Sequence, residues 1–186
     1  MEKVRVAVRM GLLTFFLAFV LTLVSRSFLN YVHTWSAIIL LLVIVSIGVI
    51  FDLIGVAATA AKEGPFNAKA AKKIPGSREA LFLVKNADKV ASFSCDIVGD
   101  ICGTLSGAVG AAIVLRLVNN FTWNEFFIDL IIISLVASLT VGGKAYGKAV
   151  GIKRSNDIIF LIGRVLSVFK TRNAKDIIRG RHKRPR

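Results

Sequence analysis

Between Trp35 and Ala61 the chain runs 27 residues with a single charge, Asp52. A helix rises about 1.5 Å per residue, so about 20 apolar residues cross a bilayer core about 30 Å thick. A soluble chain of this size rarely carries so long and so apolar a run. Three more segments meet the same test, and spans are expected at about 10–30, 36–61, 91–118 and 125–147. The expected fold class is all-α: a polytopic membrane helical bundle of about four transmembrane helices, with juxtamembrane helices on the cytoplasmic side. Residues 1–154 form the four-span domain, which includes a cytoplasmic helical hairpin at 62–89. Residues 155–170 read as a juxtamembrane amphipathic helix and 171–186 as a basic cytoplasmic tail.

A net charge of +14 raises the question of nucleic acid, and its distribution answers it. Of 25 Lys and Arg residues, three precede span one, seven lie between 62 and 89, and thirteen run from Lys144 to the end. The other two connections hold only Arg26 and Arg116. Positive charge marks cytoplasmic loops, so both termini and the middle loop are expected inside, with short outer loops near 31–35 and 119–124. The implied location is the plasma membrane, with lipid as a partner and nucleic acid as none. Span one follows Lys3, Arg5 and Arg9 as a signal peptide would, but no small-residue cleavage pattern follows it, and a retained helix is expected.

In the hairpin, helices are predicted over Phe66–Lys73 and Arg78–Asn86, with Ser77 as the N-cap of the second. Ser155 or Asn156 is the corresponding candidate for the juxtamembrane helix. Cys95 and Cys102 lie on one helix and cannot pair, so they read as small packing residues. His33 and His182 group with nothing that would hold a metal.

Gly99, Gly103 and Gly107 recur every fourth residue in span three, as do Gly143, Gly147 and Gly151 at the end of span four. Small residues at that spacing let membrane helices approach closely, within one chain or between copies. A homodimer assembled through these faces is expected.

Chemistry should reside in the intramembrane carboxylates. An ionisable group at membrane depth costs about 2.5 kcal/mol or more, and so faces a partner, a cavity or an ion. Asp96 and Asp100 share a helix face with Ser92 and Thr104, beside the glycines, and that stripe is predicted to point into a helix–helix seam. Asp52 is the third such group, and Asp129 lies near the outer end of span four. No His–Glu zinc motif, nucleophile beside a base, or phosphate-binding loop occurs, and an enzyme is not expected.

The order of several segments resembles the DUF21 transmembrane domain of the CorC/CNNM family of magnesium transport proteins, over roughly residues 45–170. Ala80–Lys89 (ALFLVKNADK) is similar to the stretch leading into that family's second span. Val98, Gly99 and Asp100 resemble its Ile-Gly-Asn, and Gly143–Gly151 (GKAYGKAVG) with Asn156–Phe160 resembles its Gly-Glu-x-x-Pro-Lys segment and following helix. Lys144 stands where the Glu belongs and Gly147 where the Pro belongs, while Lys148 agrees. The family's Ser-x-Glu-Thr-Ala corresponds loosely to Asp52–Ala57, without the Glu. The chain has an extra N-terminal span, and its roughly 16 final residues hold no CBS pair, so a divergent, stand-alone relative is the expectation. The resemblance implies a divalent cation, Mg²⁺, held among the spans by Asp52, Asp96 and Asp100 with Ser92 or Thr104. Oxygen donors of that kind suit a hard cation. Lys144 and Lys148 are then ion-pair or gating residues. The alternative is a non-transporting interaction or structural protein, in which lysine neutralises the aspartates and glycine faces drive assembly. A proton relay is also open, because burial disfavours a carboxylate's charge.

Overall fold

The computed structural model describes residues 2–31, 33–120 and 125–181. The expected outer loop at 119–124, the last residues of the basic tail and His182 lie wholly or partly outside them. The elements are α1 (Glu2–Tyr31), α2 (Thr34–Ala60), α3 (Glu63–Ala71), α4 (Ser77–Lys85), α5 (Ala87–Ala91), a π-helical segment (Ser92–Gly99), α6 (Asp100–Asn120), α7 (Glu125–Lys153) and α8 (Ser155–Arg181). No strand occurs among the described residues. Ala7–Ser25, Thr34–Ala60, Ala87–Val118 and Glu125–Lys153 are long and apolar enough to cross a bilayer. This is the architecture of a multi-pass, all-α membrane protein.

Its outer surface is apolar. Phe15, Phe16, Ile39, Ile47, Phe126, Ile131 and Leu135 all point away from the bundle, as lipid-facing side chains do. Two separate cores lie inside. Ala37, Leu41 and Ile44 of α2 meet Ile97 of the π-helical segment and Ile101, Leu105, Val109 and Ile113 of α6, with Val136 of α7 closing the group. Helix α1 reaches this core only through partly buried residues such as Met10, Leu17 and Ala18. The second core sits at the charged end, where Ala57 and Ala58 of α2 meet Phe66 of α3, Ala80 and Val84 of α4, and Ile159 of α8. Helix α2 belongs to both cores and is the axis of the molecule.

At that end α8 lies directly on α4. A Cβ on Gly163 would strike the carbonyl of Gly76 and the backbone of Ala80. Lys69 and Arg164 flank the Phe160 ring, at 4.0 Å and 5.1 Å from its centroid, in cation–π contacts. Ser77 is not the N-cap of α4. Gly76 holds that place at φ 84°, and the Ser77 hydroxyl donates to the Ile74 carbonyl at 2.6 Å instead. The tight turn needs a left-handed residue there, and glycine supplies one without strain. Ser155 and Asn156 serve the junction with α2: the Ser155 hydroxyl donates to the Ala60 carbonyl at 3.4 Å, and Asn156 Oδ1 accepts the Lys62 N–H at 3.1 Å. Helix α8 also runs beyond residue 170 to Arg181, since nothing between Lys170 and Arg179 breaks a helix.

Gly76→Ala is expected to cost about 1–2 kcal/mol for the left-handed backbone alone. The new Cβ would also lie 2.6 Å from the Arg164 backbone nitrogen, forcing α8 away. Limited proteolysis should then cut the charged end faster while the membrane core keeps its melting temperature.

Candidate functional site: a carboxylate–lysine cluster inside the bundle

Gly48, Asp52 and Gly55 lie on one face of α2, one turn apart, and that face is the seam with span three. A Cβ on Gly48 would lie 2.9 Å from the Cβ of Cys102, and one on Gly55 would strike the sulfur of Cys95. The Cys95 thiol also donates weakly to the Asp52 carbonyl at 3.6 Å. Two glycine–cysteine contacts thus bracket Asp52 and press its carboxylate into the seam, where the residue is 3% exposed. Both cysteines do act as small packing residues.

The opposing wall is the π-helical segment. Its i→i+5 pattern widens the helix and often marks functional sites. Gly99 ends it, and the missing side chain matters: the position its Cβ would take is 3.8 Å from Asp52 Oδ1, 3.6 Å from Lys144 Nζ and 3.3 Å from the Ser94 carbonyl oxygen. A carboxylate and an ammonium thus approach the same glycine, while the Ser94 oxygen is the backbone of the π-helical turn itself.

Helix α7 supplies both cations, one turn apart. Lys148 Nζ lies 3.5 Å from Asp52 Oδ2, and Lys144 Nζ lies 3.4 Å from Asp100 Oδ1. The two pairs differ in kind. Lys144 donates a hydrogen bond to Asp100, and its side chain is 20% exposed against 72% for the aspartate. Lys148 is 51% exposed while Asp52 is buried, and Asp52 Oδ2 has no hydrogen-bond partner despite the nearby charge. A buried polar atom left so costs about 1–3 kcal/mol. The Lys148 contact is therefore an ion pair without a hydrogen bond to Asp52 Oδ2, made by a half-exposed side chain.

The glycines of α7 let its lysines reach this far. A Cβ on Gly143 would lie 2.9 Å from the Val49 side chain, one on Gly147 3.1 Å from the same residue, and one on Gly151 2.9 Å from the Leu53 carbonyl. All three press on α2. In span three Gly99 meets neighbours and a Cβ on Gly110 would lie 3.1 Å from the Val136 side chain, while Gly103 and Gly107 meet nothing within 4 Å.

The expected polar stripe does not enter a seam of this chain. Asp96, Asp100 and Thr104 are exposed. Asp96 Oδ2 accepts the Ser92 hydroxyl at 2.9 Å, and the Thr104 hydroxyl donates to the Asp100 carbonyl at 3.0 Å. The π-helical register turns Ile97, Ile101 and Leu105 toward α2, which leaves the carboxylates on the outer side. Asp52, Asp96 and Asp100 accordingly do not converge. Among the described residues no three His, Cys, Asp or Glu side chains are placed to hold one metal ion. Asp129 is exposed on α7, and His33 is exposed before α2. Sequence reading missed the role of Gly48 and Gly55, although a signal existed: they are seven apart, as are Cys95 and Cys102, the spacing of two helices in register. No family model, curated protein or solved structure matches the chain.

Proposed function

We propose that the chain is a cation-handling membrane protein, distantly related to the DUF21 magnesium transport domain, in which Asp52 is the ion-binding carboxylate. The observation that carries this reading is the buried Asp52 Oδ2, which lacks a hydrogen bond and faces a half-exposed lysine. A buried ion pair offsets its desolvation only where hydrogen bonds satisfy the buried partner, and Asp52 Oδ2 has none. Lys148 instead behaves as a tethered counter-ion that an incoming cation displaces. One carboxylate with backbone oxygens nearby suits a hard cation that keeps part of its water shell, as Mg²⁺ does. The basic charged end faces the cytoplasm of a plasma membrane, with both termini inside.

The second reading, a non-transporting interaction protein, draws support from the hydrogen-bonded Lys144–Asp100 pair, which gives that aspartate a counter-charge within the chain. Isothermal titration of detergent-solubilised protein with Mg²⁺ separates the two. Saturable binding is expected in the wild type and in Asp96→Asn/Asp100→Asn, and none in Asp52→Asn. Lys148→Ala, which removes the internal competitor, should bind about tenfold tighter, or ~1.4 kcal/mol. A folded wild type that binds no Mg²⁺ would leave the fixed ion-pair reading in place.

A further inference from the structure

We infer that the Asp52 site takes a thiophilic divalent cation, Zn²⁺ or Cd²⁺, in preference to Mg²⁺, with the Cys95 sulfur as the ligand that discriminates. The inference rests on the cation reading above and names the class of ion. Cys95 lies in the π-helical segment, on the side that meets α2. Its Sγ stands 3.6 Å from the Asp52 carbonyl oxygen, and the Asp52 carboxylate is close enough to act on the same sulfur. Gly55 keeps that space, since a side chain there would strike the sulfur. A cysteine alone carries nothing, because sulfur also packs well as a small apolar group. The neighbour sets this one apart. Asp52 is 3% exposed, and its Oδ2 has no hydrogen-bond partner. A buried carboxylate oxygen without a partner, beside a sulfur from the facing helix, supplies two ligands of different chemistry to one point.

The spacing fits a small ion. Zinc bonds sulfur at about 2.3 Å and oxygen at about 2.0–2.2 Å, which at a tetrahedral angle sets the two ligand atoms about 3.6 Å apart. Cys95 Sγ and the Asp52 carbonyl oxygen stand at that separation, 3.6 Å. The carboxylate of the same residue adds a charged oxygen, and water completes the shell from the side of Lys148, whose side chain is 51% exposed. A closed structural zinc site takes four protein ligands. Among the described residues no group of three His, Cys, Asp or Glu side chains exists, so this site holds its ion with fewer. That suits an ion that must leave again. Thiolate is a soft ligand that selects zinc-like ions, whereas carboxylate, carbonyl and water alone suit Mg²⁺. On ligation the thiol proton passes to solvent and the sulfur bonds the ion as thiolate. Cys102 has a different setting, packed against Gly48 about two turns away.

The test uses the full-length, detergent-solubilised Cys102→Ala protein, which keeps Cys95 as its one thiol. CdCl₂ and MgCl₂ are titrated in separate calorimetric runs, and ultraviolet absorbance follows the cadmium–thiolate charge-transfer band. Cd²⁺ is expected to bind tighter than Mg²⁺ by about tenfold or more and to raise that band. Adding Cys95→Ser, a change of nearly the same shape, should remove both the band and the preference while Mg²⁺ binds as before. Asp52→Asn should remove the binding of both ions. Equal affinities for the two ions, or a band that survives Cys95→Ser, overturns the inference and leaves Asp52 as a Mg²⁺ site. Cd²⁺ binding with the band intact in Asp52→Asn overturns it too, because the thiol would then act without the carboxylate. Binding of neither ion by the folded Cys102→Ala protein overturns the cation reading along with it.

Discussion

Replacing Lys148 with alanine will lower the stability of the detergent-solubilised bundle by about 2–4 kcal/mol, because it leaves a buried carboxylate without its counter-charge. The figure falls below that for a pair buried on both sides, since Lys148 itself is 51% exposed and gives up less on removal. The companion variant carries the test. Asp52→Asn alone should cost little, because a neutral amide of the same shape removes the charge that needed balancing. Lys148→Ala with Asp52→Asn should then recover most of the loss of the single lysine variant. The coupling energy of that cycle is expected at about 2 kcal/mol, read from thermal or denaturant unfolding. Additive losses would mean that Asp52 and Lys148 do not act as a pair. Added Mg²⁺ should raise the melting temperature of Lys148→Ala more than that of the wild type, since the ion takes the place of the missing ammonium. The same treatment should leave Asp52→Asn unmoved.

The second large effect concerns glycine, and its value lies in the contrast. Gly151→Leu is expected to cost more than 3 kcal/mol or to prevent folding. Its Cβ alone would lie 2.9 Å from the Leu53 carbonyl oxygen, and backbone cannot swing aside as a side chain can. Helix α7 would be levered off α2, carrying both lysines with it. Gly103→Leu is chemically the same change on an equally apolar span, and should leave the stability of the single chain within about 0.5 kcal/mol of the wild type. Equal destabilisation by the two changes would mean that Gly103 meets a neighbour inside the chain.

These contrasts also mark how far the amino-acid sequence could be read. The spans and their class were legible because hydrophobic length is a local property: the run around Asp52 is apolar whatever it packs against. The α3 and α4 hairpin was legible to within a few residues, since Gly64, Pro65, Pro75 and Gly76 punctuate it locally. The cap at Gly76 was less so, because glycine rather than Ser77 takes that place only where α8 lies against the turn. The α7 glycines were correctly marked as packing residues, while their target on Val49 and Leu53 was not visible.

The carboxylates show where periodicity stops. A period of 3.6 puts Asp96 and Asp100 on one face, and nothing in the spacing says whether that face is turned in or out. The π-helical segment from Ser92 to Gly99 decides it, by shifting the register so that Ile97 and Ile101 meet α2 and the aspartates do not. Asp52 was one of three equivalent candidates in the sequence. It becomes the buried one only because Gly48 and Gly55 let span three close over it. Local hydropathy determined that this chain spans a membrane and carries ionisable groups within it. Which of those groups is buried, and which lysine answers it, depends on how helices far apart in sequence dock, and that only the tertiary structure decided.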